Sequence, residues 1–450
     1  MFKKIEVWIL YLVILLGIPV TIFFGVLVRQ ELVGSIKLGS ISKTALFLAE
    51  IPKKIKQANQ NTLDLETIEQ RFPLLDGFNG NPNSNESYLL LSRYDGDLKE
   101  GIVELVDLTN FKVLHTWNPD INQFNKSVNK IPDFKYIDRD KNNSRQLLFH
   151  PKLTKDGGLF FGWETPLRKI DACSNLIFQN DHDQFHHSIE TDVDGNIWVP
   201  SHMYPQTLPI KKIGYDTSYF DDAIVKLSPD GEILFEKSVS QIFIDNNLEY
   251  LLFSIGDRKF TTDPIHLNDI QPVDFDGEFW NKGDVFLSLR HQSMVLLYRP
   301  STNKIIWKGT GPFFHQHDID ILNEHKIAVF NNNSKDFVDG DVVDGNNEVI
   351  IYDFKLNEYS SYLNESLIKN DVRTITSGRS EILSNGDLFV EESNYARILY
   401  FDADGSIRWT YVNRANNQKN YEVGWSRILY IDEDIQIVNN FLQSRGKCND

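Results

Sequence analysis

The stretch "VDGNIWVPS" (193–201) joins a tight turn to a strand, and it is the local unit from which the fold is predicted. Asp-Gly or Asn-Gly beside alternating apolar residues is the strongest short-range signal for a β-hairpin. The same form recurs along the chain in "SPDGEILFEKS" (228–238), "LSNGDLFVEES" (383–393) and "DADGSIRWTYV" (402–412), with related hairpins at "TKDGGLFFGWE" (154–164) and "RPSTNKIIWKG" (299–309). The chain is therefore predicted to be built from repeated hairpins.

A single hairpin unit of this kind cannot bury both of its faces. Repetition of such units therefore favours the stacked blades of a propeller. Residues 86–450 are long enough for about six blades of the larger kind. We therefore predict an all-β, six-bladed β-propeller over this range. A β-sandwich is the competing architecture, but a sandwich rarely needs so many four-strand units.

The N-terminal region predicts a membrane anchor. The run "VWILYLVILLGIPVTIFFGVLV" (7–28) is uncharged and mostly apolar, which is long enough to cross a bilayer as a helix. Lys3 and Lys4 precede it, so residues 1–30 are predicted to be a transmembrane signal anchor with a cytoplasmic N-terminus. A cleaved signal peptide is the alternative, although its apolar core normally has only about 7 to 15 residues. Residues 31–85 are expected to form a partly helical stalk or linker with a break at Pro52.

Charge and cysteine content exclude two classes of protein. The 46 Lys and Arg residues against 63 Asp and Glu give a net charge of −17, which leaves a general nucleic-acid binder without an electrostatic basis. The two cysteines, Cys173 and Cys448, are too few for a disulfide framework or a cysteine-based metal site. The sequence leaves open whether these two residues pair.

The 11 histidines are unevenly placed, and most fall in four groups at the ends of candidate strands. In a propeller such ends converge on the central channel, so these groups are predicted to line one pocket. The groups are His182, His186 and His187 in "DHDQFHHSIETDVDGNIWVP", His266 with Asn268 in "DPIHLNDIQPV", Arg290 with His291 in "DVFLSLRHQSMVLLY", and His315 with His317 in "GPFFHQHDIDIL".

Two chemistries suit such a pocket. Neutral imidazoles are good ligands for zinc or copper, and His315 with His317 is a candidate chelating pair. An arginine is electrostatically wrong for a metal's ligand sphere, however, and no Asp or Glu recurs in all four groups. A cationic, donor-rich pocket instead suits a tetrahedral oxyanion such as sulfate or phosphate, with an unprotonated histidine as nucleophile. We therefore predict no metal.

Six short blocks within residues 181–333 resemble the bacterial arylsulfotransferases (aryl-sulfate sulfotransferases). In chain order the blocks are "FHHSIETDVDGNIWVP", "HLN", "SLRHQS", "IIWKGTG", "QHDIDIL" and "IAVFNNN". The resemblance implies an exported, cofactor-free, six-bladed propeller. It also implies that a sulfuryl group moves from an aryl sulfate to a phenolic acceptor through a sulfohistidine, without a nucleotide sulfate donor.

The resemblance further implies site residues by position in these blocks. The catalytic residues would be the nucleophile His317, the assisting histidine His266, the anion-binding Arg290, and the pocket histidine His187, which is favoured over His186. The supporting, substrate-binding residues would be Asn268, His186, His291 and His315. If the segments are extended, His291 should point away from Arg290, and His315 should share a face with His317.

Other expectations follow from the same resemblance. The partners would be an aryl sulfate, a phenolic acceptor and the membrane, with no nucleic acid and an undetermined oligomeric state. The catalytic domain would lie on the periplasmic or extracellular side of the cytoplasmic membrane. The aromatic residues near the blocks are candidates to stack on the aryl ring, with core packing as the alternative: Phe185, Trp198, Phe313 and Phe314. A non-catalytic, ligand- or protein-binding propeller and an aryl sulfate hydrolase are the alternative functions.

Overall fold

The computed structural model describes residues 6–32, 39–60, 65–67, 69–129, 131–208, 219–253, 262–337 and 340–444. The chain divides into two compact units, Met1–Leu63 and Asp64–Asp450. Cys173 is disulfide-bonded, while Cys448 lies outside the described residues.

The first unit contains two helices, α1 (Val7–Leu32) and α2 (Gly39–Gln60). Within α1, the most apolar 18-residue stretch of Val7–Glu31 has a mean hydropathy of 2.6, and none of that stretch is buried. By length and composition it is therefore a candidate membrane span or signal sequence. The expected break at Pro52 is not seen, because α2 continues through it. A proline inside a helix removes one backbone donor, and here the rest of the helix is retained.

The second unit is mostly β. Its strands are β1 (Gly77–Gly80), β2 (Tyr88–Asp95), β3 (Glu100–Asp107), β4 (Lys112–Trp117), β5 (Lys152–Leu153), β6 (Leu159–Phe161), β7 (Thr165–Ile170), β8 (Leu176–Phe185), β9 (Glu190–Thr191), β10 (Ile197–His202), β11 (Asp222–Leu227), β12 (Ile233–Ser238), β13 (Leu267–Pro272), β14 (Val285–Leu289), β15 (Met294–Arg299), β16 (Lys304–Gly309), β17 (Ile319–Asn323), β18 (Lys326–Asn331), β19 (Ser334–Phe337), β20 (Gly340–Val343), β21 (Glu348–Asp353), β22 (Glu358–Tyr362), β23 (Arg379–Ile382), β24 (Leu388–Glu392), β25 (Arg397–Phe401), β26 (Ile407–Val412) and β27 (Arg427–Leu429). The helices of this unit are α3 (Ile121–Asn125), α4 (Ile137–Asp140), α5 (Val239–Asp245), α6 (Tyr250–Phe253), α7 (Asn364–Lys369) and α8 (Asp432–Ser444).

The hairpins that the sequence predicts are confirmed. Each quoted turn joins two antiparallel strands: β5 to β6, β9 to β10, β11 to β12, β15 to β16, β23 to β24 and β25 to β26. The strands then pair in chain order into antiparallel sheets, for example β13-β14-β15-β16 and β17-β18-β21-β22. This meander of neighbouring strands gives the unit a propeller-like arrangement.

The blade count differs from the six that the sequence predicts. Four sheets of four or five strands stand apart as single units, namely β13–β16, β17-β18-β21-β22, β1 with β23–β26, and β27 with β2–β4. The remaining long sheet has eight strands, seven in the order β12-β11-β10-β8-β7-β6-β5 and an eighth, β9, that pairs with β10. The physical reason is that Phe185, at the end of β8, pairs with Thr165 of β7 and also with Ser201 of β10. Backbone hydrogen bonding therefore joins two four-strand meanders into one sheet.

The hydrophobic core lies between the sheets. One cluster contains Trp198 of β10 and Leu289 of β14, and the next contains Phe286 of β14 and Ile327 of β18. Further clusters contain Ala328 with Leu388, Tyr400 with Leu89, and Leu90 with Phe161, which continue around the remaining sheets. Each sheet thus packs on its two neighbours in a ring, and the ring brings the loops at one end of the inner strands together.

The N-terminal boundary of the sheet unit also differs from the prediction. Residues 31–85 were expected to be a stalk or linker, yet β1 pairs with β26, and Arg71 bonds to Asp371 at 2.7 Å and to Glu392 at 3.2 Å. Backbone pairing and the ion pairs of the nearly buried Arg71 therefore tie the end of this range to the sheets. In the sheet of β2–β4, the strand next to β2 is likewise distant in sequence, because it is β27, from the C-terminal part of the chain.

Candidate functional site

The candidate site is formed by loops that precede the innermost strands of successive sheets. In these loops His150, His187, His266 and His315 adopt left-handed backbone conformations, with φ of 54°, 54°, 57° and 53°. Non-glycine residues adopt positive φ rarely, and such outliers concentrate at functional sites, where the surrounding structure holds them. The recurrence at equivalent loops indicates that the fold imposes this conformation on several histidines.

The histidines of these loops form one continuous cluster. Ring centroids lie 5.0 Å apart for His187 and His266, 6.2 Å for His187 and His317, and 4.5 Å for His266 and His291. The other ring neighbours in the cluster are His150, His186, His202 and His315. The structure thus brings together the histidines of all four sequence groups, apart from the exposed His182. It adds His150 and His202, which lie outside those groups.

His317 is the most constrained member of the cluster. Its side chain is buried, and Nδ1 lies 2.6 Å from Oδ1 of Asn332. An amide oxygen only accepts, so Nδ1 must carry the proton and Nε2 must carry the lone pair. In this structure Nε2 accepts the backbone N–H of Ser377 at 2.9 Å. His317 is therefore held in the tautomer that a nucleophilic Nε2 requires.

The protonation of His317 follows from its surroundings. Burial lowers the pKa of His317 well below the usual value, and the neighbouring Arg290 lowers it further. Hydrogen bonds to Asn332 and to the backbone of His315 act in the opposite direction without outweighing burial. At neutral pH the ring is therefore uncharged, which leaves its lone pair available for chemistry.

His266 is paired with a carboxylate. Its Nδ1 lies 2.5 Å from Oδ2 of Asp263. Burial alone would raise the pKa of Asp263, but the hydrogen bond with His266 and the nearby imidazoles lower that pKa to about 2. The ionised carboxylate accepts from Nδ1 of His266 and so fixes Nδ1 as a protonated nitrogen. Such a pair is suited to giving and taking a proton at Nε2.

Arg290 supplies the positive charge at the site. Its side chain is 8% exposed and bonds to Oδ2 of Asp341 at 3.0 Å. The expectation that His291 points away from Arg290 is wrong, because Nε2 of His291 lies 2.7 Å from the guanidinium. Residues Arg290–Gln292 form a 3₁₀ turn after β14, so the two-residue alternation of a strand does not apply.

His315 also departs from the prediction. The stretch from 311 to 318 is irregular and the strand begins only at Ile319, so His315 and His317 do not lie on one strand face. Nδ1 of His315 lies 3.5 Å from Oδ1 of Asp336, and its ring neighbours that of His291. His315 is therefore placed at the edge of the cluster, below the β19–β20 hairpin that carries Asp336 and Asp341.

Two other predicted site residues, Asn268 and His186, contact neighbouring residues of the protein. The buried Asn268 donates its amide to the carbonyl of Gln316 at 2.9 Å, which joins two of the histidine loops. Nδ1 of His186 lies 2.7 Å from Nδ1 of His187, while its Nε2 faces Asp222. Of the pair, His187 is the one whose ring approaches His317 and His266.

Most of the candidate stacking aromatics belong to the core. Phe185, Trp198 and Phe313 are buried in the clusters between sheets. Phe314 is 44% exposed, and the Lys335 ammonium lies 5.2 Å from its ring centroid. Phe314 is therefore the one of the four whose ring has an open face.

Sequence reasoning missed four residues that complete the site: Asn332, Ser377, Asp263 and Asp341. Asn332 lies in the "IAVFNNN" block, whose run of asparagines was a usable signal for a buried polar contact. Asp263 also had a local signal, because it lies three residues before His266 and opens the segment "DPIHLNDIQPV". Ser377 and Asp341 carry no local signal, because each becomes a neighbour of the site only through the packing of separate sheets.

Comparisons with known proteins agree with this picture. The model of one protein family, Arylsulfotransferase (ASST), matches residues 150–414, which is more than half of the chain. No curated protein matches the chain.

Solved structures with similar chains share little sequence. One is a protein of unknown function from Bacteroides caccae, with 10% identity, a TM-score of 0.46, and coverage of 76% of this chain and 99% of that one. A catalytically inactive virginiamycin B lyase from Staphylococcus aureus with quinupristin has 10% identity and a TM-score of 0.32, covering 58% of this chain and 68% of that one. The WD40 β-propeller domain of Doa1 has 10% identity and a TM-score of 0.38, covering 79% and 94%.

Proposed function

The chain belongs to the arylsulfotransferase family, and from this premise we propose that it moves a sulfuryl group from an aryl sulfate to a phenolic acceptor through a covalent intermediate on His317. The observation that carries the proposal is the environment of His317. Its Nδ1 is held by Asn332, its ring is buried and uncharged, and Arg290 lies close enough to influence its protonation. These are the requirements for a nitrogen nucleophile facing an anionic group.

In the first half-reaction, Nε2 of His317 attacks the sulfur of the aryl sulfate. The N–S bond forms as the bond between sulfur and the aryl oxygen breaks, and the phenolate leaves with the electron pair. Since Nε2 accepts the N–H of Ser377 in this structure, that hydrogen bond must open first. We propose that a sulfuryl oxygen takes over this N–H, which then serves as a fixed donor to the transferring group.

In the second half-reaction, a phenolic oxygen attacks the sulfur and the N–S bond returns its electrons to Nε2. His266 is the proposed acid and base, because its Nδ1 donates to the Asp263 carboxylate at 2.5 Å, which leaves Nε2 to exchange a proton. It would protonate the departing phenolate and later remove the proton of the acceptor. The route is independent of a nucleotide sulfate donor and of a cofactor.

Recognition of the sulfuryl oxygens is proposed for Arg290 and His187, with His291 and His315 as neutral neighbours of the guanidinium, since burial lowers the pKa of both rings to about 4. The guanidinium offers several donors in a fixed plane, which suits a tetrahedral oxyanion. Asn268 and His186 bond to neighbouring loops, so we propose that they position the site instead of touching substrate.

The experiment that tests this function is an acceptor-dependence assay. The full chain in detergent is given 4-nitrophenyl sulfate, with and without a second phenol, and both phenolate release and the sulfated acceptor are measured. Stoichiometric formation of the sulfated acceptor is the expected result. Release that is unchanged by the acceptor would indicate a hydrolase, and no release from a range of aryl sulfates would indicate a non-catalytic binding propeller.

We also propose that the eight-stranded sheet represents two blades, which gives a six-bladed propeller. The cluster that contains Phe160, Phe185, Val199 and Val225 packs β6–β8 against β10 and β11, as the other clusters pack separate sheets. A left-handed residue precedes the innermost strand in six loops, at His150, His187, His266, His315, Ser377 and Trp425. A repeat of six loops and six inter-sheet clusters supports six units.

For the N-terminal region, we propose that residues 1–30 anchor the chain in the cytoplasmic membrane as a single pass, with residues from 31 onward exported. The apolar helix α1 supports this proposal by length and composition. Lys3 and Lys4, on its N-terminal side, support a cytoplasmic N-terminus. The catalytic domain would then face the periplasm or the cell exterior.

Replacing Asp341 by Asn is expected to tighten substrate binding. Its carboxylate lies 3.0 Å from the guanidinium of Arg290 and so competes with the sulfate group for that guanidinium. Because a partly exposed ion pair is worth about 1 kcal/mol or less, KM for the aryl sulfate should fall by about 3- to 5-fold with little change in kcat. Steady-state kinetics check this. Asp344→Asn, on an exposed carboxylate paired with Lys335, is the control. A KM for Asp341→Asn that equals or exceeds the wild-type value would contradict the competition.

The pH dependence of phenolate release should lack an acid limb near pH 6.5, because burial and Arg290 hold the pKa of His317 far below it. The uncharged nucleophile is then present at neutral pH and is lost only when the pH falls through that lowered pKa. Asn332→Asp places a carboxylate about 2.6 Å from Nδ1, which stabilises the imidazolium and should move the limb up by about 1 to 3 pH units. Burst kinetics between pH 5 and 8 measure this, with Asn333→Asp as the control. An acid limb at the same pH in wild type and Asn332→Asp would exclude His317 as the titrating nucleophile.

A further inference from the structure

One end of the histidine cluster, formed by His186 and His202, lies where β8, β10 and β11 run side by side. His202 pairs across the sheet with Asp222 on one side and with Gln184 on the other. His186 follows β8 two residues after Gln184, and its ring centroid lies 4.1 Å from that of His202. Strand register therefore brings two imidazoles and one carboxylate to a single point.

The atoms that face one another at this point lack hydrogen bonds. Nε2 of His186 and Oδ1 of Asp222 are 3.1 Å apart but not in hydrogen-bonding geometry, and neither atom has another hydrogen-bond partner among the described residues. Both side chains are almost completely buried, at 2% and 0% exposure. A buried polar atom without a partner costs free energy, so this arrangement requires a third participant.

The spacing fits a metal ion. Nε2 of His202 lies 3.6 Å from the same Oδ1 of Asp222, and the three ligand atoms all lie within 4.8 Å of one another. Ligands bound tetrahedrally to zinc at about 2.0 to 2.1 Å lie about 3.3 Å from each other. The observed separations of 3.1 and 3.6 Å bracket this value.

The supporting hydrogen bonds also fit. Nδ1 of His202 lies 3.0 Å from Oε1 of Gln184, which fixes a proton on Nδ1 and leaves the lone pair on Nε2. Oδ2 of Asp222 accepts the backbone N–H of Leu267 at 3.1 Å, which directs Oδ1 toward the imidazoles. Outer contacts of this kind orient metal ligands. The side chain of His202 is 18% exposed, so an ion can reach the site from solvent.

We propose that His186, His202 and Asp222 bind one divalent transition-metal ion, of which Zn²⁺ is the test case. The sequence predicts no metal, because the predicted pocket contains an arginine and no Asp or Glu recurs in all four histidine groups. His202 lies outside those groups, so that prediction does not cover its pairing with Asp222. Two neutral imidazoles and a carboxylate form a ligand set that zinc commonly takes, with a further position left for water.

The metal would also act on the neighbouring site. An ion on Nε2 of His186 leaves the proton on Nδ1, which lies 2.7 Å from Nδ1 of His187. His187 then accepts at Nδ1 and carries its own proton on Nε2. The ion would thus keep His187 as a hydrogen-bond donor toward the pocket; only this second role rests on the proposed sulfotransfer function.

Zinc binding by the full chain in detergent tests the proposal without any substrate. The protein is stripped with a chelator, titrated with Zn²⁺ by calorimetry, dialysed, and analysed for metal content; melting temperature is recorded in parallel. We expect one Zn²⁺ per chain and a rise in melting temperature. His202→Gln and Asp222→Asn should each weaken binding by at least about 100-fold, and Gln184→Ala by about 10- to 100-fold.

His182→Gln is the matched control, since His182 lies in the same segment and borders a different carboxylate, Glu236, at 3.8 Å. It should bind Zn²⁺ as the wild type does. Absence of zinc binding by the folded wild type would overturn the proposal. Loss of zinc in His182→Gln but not in His202→Gln would overturn it in favour of His182, Asp183 and Glu236, and unchanged binding in both variants would overturn it in favour of Asp263, His266 and His291. None of these outcomes depends on sulfotransfer, so failure of the metal-site proposal can be told apart from failure of the proposed function.

Discussion

Replacing His317 by Ala is expected to reduce aryl sulfate turnover by at least about 10⁴-fold, because the substitution removes the proposed nucleophile. The remaining donors of the site still bind the sulfate group, so KM should change far less than kcat. Pre-steady-state release of 4-nitrophenolate from 4-nitrophenyl sulfate measures the effect directly. The burst that corresponds to one sulfuryl group per active site should disappear.

Two variants make the result on His317 interpretable. His317→Gln keeps a polar side chain of similar length beside Asn332, so it controls for a cavity in the buried site while still lacking a nucleophilic nitrogen. His315→Ala, two residues away at the edge of the cluster, should lose no more than about 10-fold. Folded His317→Ala and His317→Gln proteins that retain the burst would show that another residue accepts the sulfuryl group.

Replacing Arg290 by Met should lower kcat/KM by about 10²- to 10³-fold, the usual effect of losing one preorganised donor to a developing charge. The guanidinium is 8% exposed and beside His291, so few water molecules can substitute for it. Steady-state kinetics with aryl sulfates of differing leaving-group pKa would test this, because the loss should grow as the leaving phenolate becomes more basic.

The Arg290 variant also leaves Asp341 without its partner, and a double variant separates the two effects. Arg290→Met with Asp341→Asn should recover folding stability but not activity, if Arg290 acts on the transferring group. Arg299→Met, which breaks an ion pair with Asp284 at 2.7 Å at the other end of β15, is the control for losing an arginine. Full recovery of activity in the double variant would assign Arg290 a structural role only.

Much of the fold was accessible from local sequence because its hairpins depend on short-range chemistry. Turns such as Asp194-Gly195 and Asn385-Gly386 place glycine at positive φ, 79° and 87°, where other residues are strained. The closure of the ring was not accessible, because β1 with β26 and β27 with β2 pair residues more than 300 positions apart. The joining of β8 to β10 was missed for a related reason, since it depends on the length and bend of one strand.

The candidate site was predictable as a set of residue types and less so as a geometry. Strand ends converge in a propeller, so the clustering of His187, His266 and His317 followed from topology. Side-chain direction did not follow, because a 3₁₀ turn at Arg290 and a left-handed residue at His315 replace the assumed extended backbone. The contact of Asn332 with His317 depends on tertiary packing, whereas Asp263 lies only three residues before His266 and its contact was accessible from the sequence.

The most direct test of the account is to look for sulfohistidine on His317. The full chain in detergent is mixed briefly with 4-nitrophenyl sulfate without an acceptor, quenched at alkaline pH, and analysed by intact mass and peptide mapping. The account predicts one added sulfuryl group, located on the peptide that carries His317, absent from His317→Gln and removed by a phenolic acceptor. Phenolate release and acceptor sulfation without any adduct on His317, or with an adduct on a different residue, would contradict it.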